Sequence, residues 1–170
     1  MGRMALPAAI AVLAGAGLAC AGPARAEDAV FAYKALSPDV AFDLARAALD
    51  ACRARGFQVA VAVVDRFGQP QVMLRDRYAG PHTPPTAVGK AWTAVSFRTN
   101  TSDLIPLTQP GQPQAGLRNL PNVVLLGGGV MIEAGGSILG AIGVSGGPGA
   151  QADDDCARAG IEAVRDRLEL

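Results

Sequence analysis

The stretch VVLLGGGVMIEAGGSILGAIGVSGG, Val123 to Gly147, limits the fold more than any other part of the chain. Two apolar runs flank the Ala134-Gly135-Gly136 turn, and Gly127 to Gly129 breaks the first of them. The block reads as a hairpin whose glycines allow a bulge, close strand packing and a tight turn. A second hairpin precedes it. Phe57 to Val64 is nearly all apolar and rich in valine, a strand buried on both faces; Gly68 lies in the turn, and Pro70 to Arg75 returns.

Helical patterns surround these hairpins. Ser37 is a good N-cap, Pro38 suits the first helical position, Gly56 is a stop, and Val40, Leu44, Ala48 and Cys52 form the buried stripe between them. Thr83 can cap a helix that begins at Pro84 and Pro85 and runs to about Phe97, with Val88, Ala91, Trp92 and Val95 on one face. Gly89 inside that helix costs about 1 kcal/mol, so it marks close packing or a ligand. Thr99 to Asn122 reads as a turn of helix and then a Pro/Gly/Gln-rich loop of the kind that borders a site or an interface. Asp153, Asp154 and Asp155 precede a last helix to about Leu168, whose core face is Ile161, Val164 and Leu168. The order predicts a single α/β (α+β) domain over residues 37–170, after an extended segment at 27–36. Its expected core is a largely antiparallel five-stranded sheet flanked by helices. Half the residues are hydrophobic but only 5% are aromatic, so small residues and glycines should shape any cavity.

The first 26 residues have a different character. Arg3 precedes an apolar run from Ala5 to about Ala21, and Ala24-Arg25-Ala26 is a small-x-small cleavage pattern. A signal peptide over residues 1–26 is expected, with export to the periplasm or the medium and no membrane span afterwards. Cys20 raises a lipid-anchored alternative, but Gly17 stands where a bulky aliphatic residue would be needed. Of 15 basic and 15 acidic residues, Arg3 and Arg25 leave with the leader, so the remainder is slightly acidic. No basic stripe remains for nucleic acid or an anionic membrane. Cys52 and Cys156 remain where thiols oxidise. If the first and last helices pack side by side a disulfide can join them; otherwise both are small buried apolar residues. No C-x-x-C pair exists for a zinc ribbon, a redox dithiol or covalent haem attachment.

The only histidine and the only tryptophan lie together in YAGPHTPPTAVGKAWTA. His82, at the mouth of a helix and beside two prolines, is either a solvated turn residue or an axial ligand to haem iron. One histidine makes no metal cluster, whereas a porphyrin supplies four nitrogens of its own. Met73, Tyr78 and Trp92 are close in sequence as pocket walls or further ligands. Arg75, Arg77, Lys90 and Arg98 could meet propionates, and core packing and a solvated rim are their ordinary roles. GVSGG, residues 143–147, fits the G-x-S-x-G pattern of a serine nucleophile. The chain is short for that hydrolase fold and His82 precedes Ser145, so a strand end and tight turn is the plainer reading. Asp153 to Asp155 suit a hard cation or, more simply, the positive end of a helix.

KAWTAVSFRTNT after AGPHT, then GGGVMIEAGGSILGAIGVSGG and DDDCARAGIEAV, resemble in order and spacing the GlcG/HbpS family of haem-binding-type domains. The likeness runs from about Leu36 to Leu168. It implies a profilin-like domain that forms homo-oligomers, and an exported type that binds haem and senses redox state beside a membrane receptor. Other members accompany glycolate-use genes or are attached to corrinoid adenosyltransferases. The resemblance therefore implies non-covalent haem binding for sensing, scavenging or buffering rather than turnover. His82 is the axial-ligand candidate, Met73, Tyr78 and Trp92 are pocket candidates, and Lys90 and Arg98 are propionate candidates. A small-molecule or corrinoid-binding module is the alternative, and a hydrolase using Ser145 a third. The helix start reads PPTAVGKAW, where the family pattern carries more polar and charged residues.

Overall fold

Alternation along one strand explains why helices cover both sides of the sheet. β1 (Ala60–Asp65) sends Val61 and Val63 to one face and Ala60, Ala62 and Val64 to the other, and both sets are buried. The computed structural model describes residues 1–2 and 31–169, so the expected signal peptide falls almost wholly outside the described residues. From Tyr33 onward the chain forms one compact unit. β1 pairs antiparallel with β2 (Pro70–Arg75), and β3 (Gly129–Ala134) pairs antiparallel with β4 (Ser137–Ser145). β1 also pairs with β4, which gives the order β2-β1-β4-β3. Among the described residues the sheet has four strands, where five were expected. Residues 33–37 join no ladder, because only Leu36 among them is buried and Ser37 immediately caps a helix.

That helix, α1 (Pro38–Ala54), starts where the Ser37 hydroxyl accepts from the Val40 N–H at 3.4 Å, and ends before Gly56. It packs with α4 (Ala150–Ala163) on the valine face of the sheet. Leu44, Leu49, Ile132 and Ile142 are the largest fully buried side chains there, each worth roughly 1.5–3 kcal/mol of burial. Cys52 and Cys156 form a disulfide inside this layer, with Cα atoms 5.5 Å apart. Beside it, the amide of Gln151 and then Arg55 donate to Asp155 and hold its carboxyl below the usual carboxylate range. α5 (Arg165–Leu168) closes the layer with Leu168.

α2 (Thr83–Phe97) covers the other face, and the residues beneath it are small. Ala60, Ala62, Ala141 and Gly143 let the helix backbone come down onto the sheet. A Cβ at Gly143 would lie 1.9 Å from the Ala87 carbonyl oxygen. Gly143→Ala is therefore expected to lift α2 and cost about 1–3 kcal/mol by urea unfolding. Gly89 is explained by packing: a Cβ there would lie 2.4 Å from Val124 Cγ2. α3 (Thr101–Leu107) and a 3-10 turn (Ala115–Asn119) occupy the long polar connection to β3.

The last helix begins at Ala150, six residues before the position after the three aspartates where it was expected. Asp153 consequently falls in its first turn, at the positive end of the helix, and Asp153 and Asp154 are both buried within the helix rather than preceding it. The physical reason is that both carboxylates face neighbouring elements that supply donors.

Candidate functional site

The C-terminal end of β4, the start of α2 and the start of α4 meet around a cleft of about 700 Å³. Helix geometry selects which α2 residues face it. Thr83, Thr86 and Lys90 lie at i, i+3 and i+7 and all line the cleft. His82, the residue before the first turn, lines it too and is exposed. Its imidazole lies against Gly80, where a Cβ would meet Cε1 at 2.8 Å and Nδ1 at 2.9 Å. Among the described residues the ring has no hydrogen-bond partner, while the His82 carbonyl accepts from the Thr86 hydroxyl at 2.7 Å. Tyr78, Phe57, Leu126 and Pro148 add apolar surface to the walls.

The base of the cleft is electrostatically closed. Lys90, 3% exposed, donates to Asp153 Oδ2 at 2.7 Å and to the Val144 carbonyl at 2.8 Å. Asp153 Oδ1 accepts the Gly147 N–H at 2.8 Å, so one ion pair fastens α2 to β4, to α4 and to the glycine turn between them. The neighbouring Asp154 accepts from the Gly128 N–H at 2.5 Å and from the Ser102 hydroxyl, which ties in α3 and the approach to β3. Such buried charges need this degree of pairing, since an unpaired one costs several kcal/mol.

Of the residues singled out from the sequence, His82, Tyr78 and Lys90 come together at this cleft, and Ser145 joins them. Met73, Trp92 and Arg98 do not line it. Met73 lies on the edge strand β2, paired with Ala62 and partly exposed. Trp92 lies two residues after Lys90, about 200° further round α2, and its indole packs where a Cβ on Gly68 would sit. Arg98 is the left-handed C-cap of α2 at φ 51°, about 24 Å along the helix axis from His82. It lines a separate polar depression with Arg66 and Ser137. Ser145 and His82 share the cleft, yet no hydrogen bond among the described residues joins them or links His82 to a carboxylate, as a nucleophile–base–orienter chain requires. Among the described residues no group of three or more His, Cys, Asp or Glu is placed to hold a metal ion.

The Lys90–Asp153 pair was not anticipated from sequence. One signal was present: Lys90 is the only charge in TPPTAVGKAWTAVSF, and a lone lysine in an apolar helix calls for a buried partner.

Comparison with known proteins places this geometry. The family model described as "Haem degrading protein HbpS-like" matches residues 36–162. A structure of Streptomyces reticuli HbpS carrying two glutamate-to-aspartate substitutions is similar at a TM-score of 0.76 and 34% identity, covering 93% of this chain and 99% of that one. A PduOC:haem complex is similar at a TM-score of 0.72 and 35% identity, covering 76% of this chain and 95% of that one. The corrinoid adenosyltransferase PduO of Salmonella typhimurium is 36% identical over 123 residues, which are 71% of this chain and 36% of that protein. The chain thus spans little more than a third of the length of that relative. The matched region takes in all four strands, α1 to α3 and most of α4, including every residue of the cleft. The chain belongs to the HbpS-like family.

Proposed function

We propose that this protein binds haem non-covalently in the His82 cleft, for sensing, scavenging or buffering, and that it works outside the cytoplasm. The observation that carries the reading is His82 itself, the only histidine of the chain, at the cleft with a ring that has no hydrogen-bond partner among the described residues. The donor set fits the group. An imidazole and the Tyr78 phenol are both axial ligands that haem iron accepts, and Phe57, Leu126 and Pro148 offer apolar contact to a macrocycle. A cleft of about 700 Å³ falls within the range of small-molecule sites. Bound haem would supply redox chemistry at iron. The protein's part is to hold the imidazole against Gly80 and to keep the cleft base neutral through Lys90 and Asp153. Export is supported by the leader pattern and by the Cys52–Cys156 disulfide, which persists in oxidising compartments. A homo-oligomer and a membrane-sensor partner belong to the same proposal.

Haem titrated into the mature protein is expected to give a saturable Soret shift. His82→Ala should weaken binding at least about tenfold, since losing even a partner of a metal ligand costs that much. An unchanged shift in His82→Ala would remove the axial assignment. Similarity to a corrinoid adenosyltransferase supports one second reading, a corrinoid-binding module. Thermal stabilisation by a corrinoid and none by haem would favour it.

A further inference from the structure

Axial ligation leaves one corner of the cleft unexplained. α4 is 14 residues long, yet its N-cap Gly149 supplies no side-chain acceptor. The N–H groups of Ala150 and Gln151 have no partner among the described residues. They form the positive end of the helix dipole. Beside them Ser145 is 5% exposed and lines the cleft, and its hydroxyl has no hydrogen-bond partner among the described residues. Gly146 makes the turn between the two, at φ +133°; a Cβ there would meet the Gln58 carbonyl oxygen at 2.7 Å. The turn must therefore stay without a side chain, held against the backbone of Gln58 and Val59. Lys90, a cation lining this cleft, is already neutralised by Asp153. Anion recognition thus falls to neutral donors.

We infer that Ser145 and the first N–H groups of α4 form an oxyanion subsite that takes a carboxylate of the bound ligand, a propionate when the ligand is haem. An unpartnered, cleft-facing hydroxyl on a nearly buried residue and an uncapped helix start line the same cleft, and such donors favour a negative group over a neutral or positive one. The inference rests on the haem reading above and adds which end of the ligand enters the floor of the cleft.

Haem and haem dimethyl ester, whose propionates are both capped, separate the two ideas. Wild type is expected to bind haem more tightly than the diester in Soret titrations by at least about tenfold, since one hydrogen bond to a charged group alone is worth that much. Ser145→Ala should lower haem affinity about tenfold and leave diester affinity unchanged, with the Soret maximum where wild type has it. Ala150→Pro should act the same way. It removes one N–H at the first helical position, where proline fits, and Gly149 before it is extended at φ −179° and ψ 171°, as a residue preceding proline must be. Circular dichroism checks that each variant folds, and Ser145→Ala carries the test alone if Ala150→Pro does not. Equal affinity of wild type for both porphyrins, or a haem preference that the folded variants retain, overturns the subsite and leaves haem binding standing. A wild type that binds neither porphyrin overturns both.

Discussion

Lys90→Met is expected to remove about 3–5 kcal/mol of folding stability, because it leaves the buried Asp153 carboxylate without its counter-charge. Methionine matches the volume and apolar stem of lysine, so packing changes little and the loss reports the missing charge. Asp153 would keep only the Gly147 N–H, and the Val144 carbonyl would lose its lysine donor. The double variant Lys90→Met/Asp153→Asn should recover a large part of the loss, since a neutral amide can still accept from Gly147. Urea unfolding of wild type, both single variants and the double variant closes the cycle and gives the coupling energy directly. Additive losses would mean that the pair contributes nothing beyond its separate side chains. The same cycle bears on the cleft. α2 carries His82 at one end of its first turns and Lys90 two turns on, so loosening the pair frees the helix that presents the imidazole.

Opening the Cys52–Cys156 bond is expected to lower stability by about 2–5 kcal/mol, near the upper end for a link that closes most of a domain. The two cysteines are 104 residues apart in sequence, and the closed loop contains the whole sheet. A cross-link of that span restricts the unfolded chain severely. In the folded state α1 and α4 remain packed without it, because Gly160 lets the Leu44 carbonyl and Ala48 come close. Reductant should therefore shift the urea midpoint of wild type while leaving near-native structure at low denaturant. Cys52→Ala/Cys156→Ala should show the lowered midpoint with or without reductant. A wild-type midpoint that ignores reductant would show that the bond adds no stability.

Local periodicity made most of the elements legible in advance. Ser37 and Gly56 bracket α1, the turn at Gly135 and Gly136 joins β3 to β4, and α2 ends at Phe97, all from patterns spanning a few residues. A fifth strand was expected, and the described residues form four. At the cleft the sequence offered His82, Tyr78 and Lys90 but grouped them with Met73, Trp92 and Arg98. That grouping used nearness along the chain. A helix separates such neighbours: two residues turn the side chain by about 200°, and sixteen carry it about 24 Å.

What the sequence determined by itself is therefore local: where strands alternate, where helices are capped, and which residue types can bind iron. The tertiary structure alone decided that Lys90 faces Asp153 across 63 positions, and that Ser145 and α4 converge beside His82. Local conformation depends on sterics and hydrogen bonds within a few residues, which the sequence states directly. Partnership between distant groups depends on how alanines and glycines let α2 settle on the sheet, and that is fixed only when every layer packs at once.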